Sequence, residues 1–66
     1  MTKQEAIESC KNGNKIAHKY FSKEEFVEYH DGSFFTEEGY NVGGLSDEFW
    51  NIRTGSFWET DWRIVD

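Results

Sequence analysis

The chain has 66 residues, twelve aromatic side chains, thirteen acidic residues against seven basic ones, and a formal net charge of −6. This length leaves room for one domain, residues 1–66, and the many aromatic residues exclude an intrinsically disordered chain. No run approaches the ~20 apolar residues of a membrane span, and the acidic balance disfavours ordinary DNA or RNA binding, which needs a basic face.

The aromatic content exceeds what so small a chain can enclose. Each buried ring removes roughly 150–250 Å² from water, and one helix with a few short strands cannot cover twelve of them. Part of this apolar surface should therefore lie where another molecule covers it. We predict a homo-oligomer or another partner on these grounds.

The number of cysteines and the composition of the first fifteen residues indicate in which cellular compartment the protein works. Cys10 is the only cysteine, so an internal disulfide cannot form. The first fifteen residues include five charged side chains and no apolar run, unlike a secretory signal peptide. We expect a cytoplasmic protein.

The charge is unevenly distributed along the chain. Residues 1–23 contain five Lys and two Glu, whereas residues 24–66 contain two Arg and eleven acidic residues. One interpretation is an ordinary solvated surface. The other is a molecule with a basic and an acidic end, which could guide self-assembly or place an anion near the first segment.

Taken in chain order, the first predicted element is a helix over residues 2–12. Thr2 and Glu5 form a capping box at its start, and Gly13 supplies the left-handed position that ends it. Three residues at helical spacing form its apolar side: Ala6, Ile7 and Cys10.

The sequence pattern after this helix predicts strands joined by tight turns. Asp31-Gly32 is the strongest hairpin signal, since a type I′ turn needs positive φ at both central positions. The predicted strands cover residues 14–21, 26–30 and 33–36, a short edge strand covers 40–42, and the last strand covers 61–65.

The segment after Gly43-Gly44 is the least determined. Ser46 could cap a short helix through Asn51, but a strand fits residues 46–53 nearly as well. The whole pattern predicts an α+β fold in which one N-terminal helix packs on a small antiparallel β-sheet of three to five strands.

Catalytic and metal-binding patterns are missing from the sequence. No nucleophile elbow, phosphate-binding loop or zinc-protease motif occurs. Cys10 lies on the apolar side of the first helix, as a small buried residue would. His18 and His30 have no cysteine pair between them, which disfavours a zinc site. We predict no catalytic residues, no metal and no cofactor.

Two groups of residues are candidates for ligand binding. Trp50, Arg53 and Trp58 combine stacking rings with a planar cation, as recognition of a base and its phosphate requires. The alternative is that these tryptophans are core or subunit-contact residues. A second possible anion site consists of Lys15, His18 and Lys19, although exposed lysines on a sheet edge often serve only as edge protection.

Three stretches carry a resemblance to a known family. They are the opening T-K-Q-E-A-I-E-S-C-K-N-G-N-K-I, the Asp31-Gly32 hairpin and the final T-D-W-R-I-V-D. This pattern resembles the Thoeris anti-defence sponge family of small phage proteins. The likeness covers the first third and the last seven residues, and residues 43–59 depart from the pattern. Because the shared motifs are scaffold features, no binding residue is carried over.

The resemblance implies an oligomeric phage protein in the cytoplasm of an infected bacterium. Such a protein sequesters a cyclic nucleotide immune signal without cleaving it. An alternative from the charge pattern is an acidic inhibitor whose negative portion binds a basic host protein. A structural role in virion assembly is a third option.

Overall fold

The computed structural model describes all residues, 1–66, as a five-stranded antiparallel sheet with three helices. The strand order is β4-β3-β2-β1-β5. The elements are α1 (Lys3–Lys11), β1 (Lys15–His18), β2 (Val27–His30), β3 (Ser33–Thr36), β4 (Asn41–Gly43), α2 (Glu48–Asn51), α3 (Ser56–Glu59) and β5 (Trp62–Val65). The predicted α+β class, with an N-terminal helix packed on an antiparallel sheet, is confirmed.

Helix α1 begins as its sequence predicts. The Thr2 hydroxyl accepts a hydrogen bond from the Glu5 backbone N–H at 3.1 Å, and the Glu5 carboxylate accepts one from the Thr2 N–H at 2.8 Å. The bond from the Thr2 N–H, with a smaller effect of the Thr2 hydroxyl, holds the pKa of Glu5 below its usual value, since it stabilises the charged carboxylate. The capping box therefore fixes the start of the helix, and Gly13 follows its end with φ 108°.

The hairpin between β2 and β3 also forms as predicted. Asp31 and Gly32 have φ angles of 50° and 83°, the positive values of a type I′ turn. This turn sets the register that pairs His30 with Ser33 and Tyr29 with Phe34. Strand β3 has the predicted bounds, whereas β1 is half as long as predicted, because the chain turns after His18.

The later segments differ from the prediction in detail. The short helix near residue 50 exists, but its N-cap is Asp47 and not Ser46. Helix α3 has no counterpart among the predicted elements. The edge strand lies one residue further along than predicted, at Asn41–Gly43.

One side of the sheet carries the hydrophobic core. Ala6 and Cys10 of α1 pack there on Ile16 and Val27, and all four side chains are at most 1% exposed. Three large rings complete this core: Phe34, Trp50 and Trp62. No helix is long and apolar enough to cross a membrane.

Candidate functional site

The side chain of Arg53, just after α2, lies among aromatic rings. Its guanidinium carbon is 3.9 Å from the centre of the Phe49 ring, 5.3 Å from that of Trp58 and 5.7 Å from that of Phe21. The Nη1 group donates a hydrogen bond to the Phe49 carbonyl at 2.8 Å. Stacking and this bond together hold the guanidinium in one orientation.

The backbone of Arg53 is also fixed by a distant residue. Lys3 Nζ donates a hydrogen bond to the Arg53 carbonyl at 2.7 Å. Since Lys3 is at the start of α1, this contact ties the segment after α2 to the N-terminal helix. The Arg53 guanidinium therefore occupies a position that the rest of the fold determines.

The charge of Arg53 has no carboxylate partner. The only ion pair between side chains in the structure joins His30 and Glu28 at 3.7 Å. Partial burial lowers the pKa of Arg53, and the more distant Glu25 carboxylate acts in the opposite direction. The Nε atom is buried without a hydrogen-bond partner. A partly desolvated, unpaired guanidinium is a group that an incoming anion would stabilise.

An open groove of about 570 Å³ lies beside this side chain. Its volume falls within the roughly 300–1,000 Å³ of small-molecule sites. The groove runs between β4 and α2, and its lining residues are Asn41, Val42, Gly43, Asp47, Glu48, Phe49, Ile52 and Arg53. Asp47, Glu48 and Arg53 therefore line the same space, so the groove suits a ligand with both hydrogen-bond donors and an anionic group.

The first predicted group of site residues is only partly brought together. Trp58 is half-buried and lies against Arg53, as the sequence indicates. Trp50 instead packs in the core, 2% exposed, between Phe34 and Trp62. Its ring therefore has no free face for a ligand in this conformation.

The second predicted group is divided between the two faces of the sheet. His18 lies on the core side and is 2% exposed, whereas the side chains of Lys15 and Lys19 are exposed. Residues of odd and even number on one strand point to opposite faces. Lys15 and His18 therefore do not share an anion site, and Lys19 lies in the turn after β1.

Both ring nitrogens of His18 have partners inside the protein. Nε2 is 2.8 Å from the Thr60 carbonyl, and Nδ1 accepts a hydrogen bond from the Tyr20 N–H at 3.1 Å. This pattern assigns a neutral imidazole with its proton on Nε2. The ring also stacks on Trp58, with centroids 4.5 Å apart. His18 is thus a structural support behind Trp58.

The sequence analysis did not identify two residues of this site. Phe21, between β1 and β2, contributes a ring beside Arg53, and Lys3 holds the Arg53 backbone. Phe21 stood out only as an apolar residue near the end of a predicted strand, which indicates burial. No local pattern connects either residue to Arg53, because they lie 32 and 50 positions away in the sequence.

Cys10 is the only cysteine of the chain, and its side chain is buried. Burial, and to a smaller extent the Glu28 charge, raises the pKa of the Cys10 thiol to about 11. The thiol is fully enclosed and therefore lacks the thiolate character of a nucleophile. No group of three or more His, Cys, Asp or Glu side chains is placed to hold a metal ion.

Comparisons with known proteins found no match, so the main evidence on function is the geometry of the residues around Arg53. The likeness to the Thoeris anti-defence sponge family stays a prediction from the sequence. Neither a protein family, nor a curated protein, nor a solved structure matches this chain.

Proposed function

We propose that this protein binds and sequesters a nucleotide-derived immune signal without cleaving it, and that Arg53 is the anchor for an anionic group of that ligand. The observation that carries the proposal is the unpaired guanidinium, stacked on Phe49 at 3.9 Å and lining the groove beside α2. The likeness to a phage sponge family supplies the ligand class. We place its action in the cytoplasm of an infected bacterium.

The groove offers more than a charge to such a ligand. Asn41, Asp47 and Glu48 lie on its walls, and Ile52 adds an apolar side chain that is 63% exposed. Carboxylates accept hydrogen bonds from amino groups of a base, whereas the guanidinium binds phosphate oxygens. Trp50, Lys15 and His18 do not line this groove, so in this proposal they contact no ligand.

The test is native mass spectrometry of protein purified from bacterial cells with an active nucleotide-based defence. We expect the wild-type protein to carry a releasable, intact nucleotide. R53Q removes the charge and keeps a planar amide that can stack on Phe49. Loss of one charge-assisted hydrogen bond, about 1.5–3 kcal/mol, weakens binding by roughly tenfold to a hundredfold.

The control is K23A, which removes an exposed cation elsewhere on the surface. It should retain the nucleotide, and both variants should give the circular dichroism spectrum of the wild type. Wild-type protein that carries no small molecule, or an R53Q variant that retains it fully, contradicts the proposal.

A second candidate is an acidic inhibitor that binds a basic host protein. It is favoured by the many acidic side chains that have no partner: of thirteen, only Glu28 contacts a basic side chain within ion-pair distance. Such a complex should dissociate as salt is added, because screening weakens contacts between exposed charges. R53Q should leave it intact, which separates this candidate from the first.

Self-association belongs to the proposal as well. Only three of the twelve aromatic rings are buried, and three are more than half exposed: Tyr20, Tyr40 and Phe57. The single chain therefore leaves much aromatic surface in contact with water, as the sequence predicts. A second copy of the chain would cover part of it.

A further inference from the structure

The sheet has one face that no helix covers. Residues of α1, α2 and α3 all pack on the core side, where Ala6, Trp50 and Trp58 belong to the core or lie against it. We call the opposite side of the sheet the outer face. In most sheets of this kind the uncovered side is polar.

The outer face has an apolar centre. Its side chains are identified by the strand register, which pairs Lys15 with Val65 and Ala17 with Arg63. Ala17 is fully buried although it is not part of the core cluster. Three partly buried apolar side chains share this face: Phe26, Phe35 and Val65.

Further contacts confirm which residues share the outer face. Lys15 Nζ lies 4.8 Å from the centre of the Phe26 ring, and the rings of His30 and Phe35 are 5.7 Å apart. Glu28 is paired with Phe35 across β2 and β3. Residues of opposite charge and apolar residues are therefore interspersed on one surface.

The order of side chains across the sheet follows from the pairing. Ile16 lies opposite Val27, so the next pair in that register places Lys15 beside Glu28. Reading from β5 to β3, the first row across the outer face is Val65, Lys15, Glu28 and Phe35.

The second row is built in the same way. The Ile16–Val27 register, continued by one residue before the start of β2, places Ala17 beside Phe26. Reading in the same direction, this row is Arg63, Ala17 and Phe26.

The first row is self-complementary about a line between β1 and β2. A half-turn about an axis parallel to the strands along this line brings β1 of one copy over β2 of another. It places Lys15 opposite Glu28 and Val65 opposite Phe35. Each contact occurs twice, as two-fold symmetry requires.

We infer that the outer face binds a second copy of this chain in a two-fold, face-to-face dimer whose β1 lies over the β2 of its partner. The strands of the two sheets then run in nearly the same direction, one of the two common ways in which sheets pack. In this arrangement the basic side chain of Lys15 in one copy attracts the acidic side chain of Glu28 in the other. This inference rests on the self-association that is part of the proposed function, and it names the surface through which two copies associate.

The size of the face indicates how strong the dimer is. Because β4 has no counterpart about this axis, four strands at about 4.8 Å spacing and four residues at about 3.3 Å rise overlap over roughly 19 by 13 Å. This is smaller than the ~800 Å² per partner of a standard interface. We therefore expect an equilibrium between monomer and dimer that shifts with protein concentration.

The test is sedimentation velocity on the wild-type protein and two charge-reversal variants, from micromolar to millimolar concentration. K15E and E28K each place like charges opposite one another at two points of the dimer. Each variant alone should associate more weakly than the wild type by about tenfold or more. An equal mixture of the two should recover the dimer, because the carboxylate introduced by K15E in one copy then faces the ammonium group introduced by E28K in the other.

The mixture separates contact between copies from damage within one copy. Lys15 and Glu28 are also neighbours within one chain. If a variant associates weakly because it has lost that internal contact, mixing it with the other variant cannot restore the dimer. E8K and K11E on α1 are the controls, and they should associate like the wild type. A wild-type protein that stays monomeric throughout, an unaffected K15E variant, or a mixture that fails to recover would overturn the inference.

Ligand binding and dimer formation have separate measurements. K15E should remain able to retain a nucleotide in native mass spectrometry if one monomer completes the Arg53 groove. R53Q should dimerise like the wild type, because Arg53 lies on the core side of the sheet. Failure of the dimer therefore leaves the proposal about Arg53 standing, and the reverse also holds.

Discussion

Trp50 and Trp62 are two similar core residues that differ in one hydrogen bond. Their exposed fractions are 2% and 3%, and their rings lie 5.5 Å apart. The Trp62 indole N–H donates to the Trp58 carbonyl at 2.7 Å, whereas that of Trp50 is buried with no partner. An unpaired buried donor has a desolvation cost that a paired one recovers.

We predict that W62F lowers the free energy of unfolding more than W50F does. Both substitutions remove similar ring volume from the core and leave similar cavities. W62F also breaks a hydrogen bond and leaves the Trp58 carbonyl without its donor, a difference of about 1 kcal/mol. Urea unfolding followed by far-ultraviolet circular dichroism gives the comparison. Equal losses, or a larger loss for W50F, would show that the Trp50 N–H has a partner after all.

At the scale of elements, the connection from β4 to α2 shapes the groove beside Arg53. Gly43 has φ 80°, and a Cβ placed there would collide with the Asp47 carboxylate. That carboxylate accepts a hydrogen bond from the Gly44 N–H at 2.8 Å. The turn therefore depends on a glycine for its backbone angle and for space.

We predict that G43A destabilises the protein more than G39A. Both glycines have positive φ, 80° and 85°, which costs an alanine roughly 1–2 kcal/mol. A Cβ at Gly39 meets open space, whereas one at Gly43 displaces the Asp47 side chain and loses its hydrogen bond, about 1 kcal/mol more. Thermal unfolding of the two variants measures the difference. If they lose the same stability, the Asp47 side chain moves aside without cost.

The same elements show how far sequence patterns reach. The start of α1 and the β2–β3 turn were predictable, because a capping box and an Asp-Gly pair act through bonds within a few residues. Helices α2 and α3 have four residues each, which is too short for a periodic pattern to develop. Their bounds depend on where Trp50 and Trp58 pack against distant residues.

In the candidate site too, contacts between residues close in sequence could be predicted, whereas contacts between distant residues could not. Arg53 and Trp58 could be predicted as neighbours, since they are five positions apart and the chain has only two arginines. The grouping of Lys15 with His18 overlooked the alternation of a strand, which sends these two side chains to opposite faces. The contact of Phe21 with Arg53 depends on the pairing of β1 with β2 and on the path of the chain after α2. No short segment encodes that contact.

At the scale of the whole molecule, charge acts in two opposite ways. Within one chain, a net charge of −6 and a single side-chain ion pair make repulsion between acidic residues dominant. Between two chains, the proposed dimer brings the basic Lys15 of β1 over the acidic Glu28 of β2. Salt screens both the repulsion within one chain and the attraction between two chains, since the Debye length falls to about 10 Å at 0.1 M.

We predict that sodium chloride raises the melting temperature of dilute protein but dissociates the dimer in concentrated protein. Screening relieves the repulsion within each monomer and weakens the attraction between copies, so the two effects have opposite signs. Thermal unfolding at micromolar concentration and sedimentation at millimolar concentration measure them separately. K11E, which makes the chain more acidic without touching the outer face, should increase the stabilisation by salt. A melting temperature that falls with salt in dilute protein would mean that attraction within the monomer exceeds repulsion, despite the excess of acidic residues.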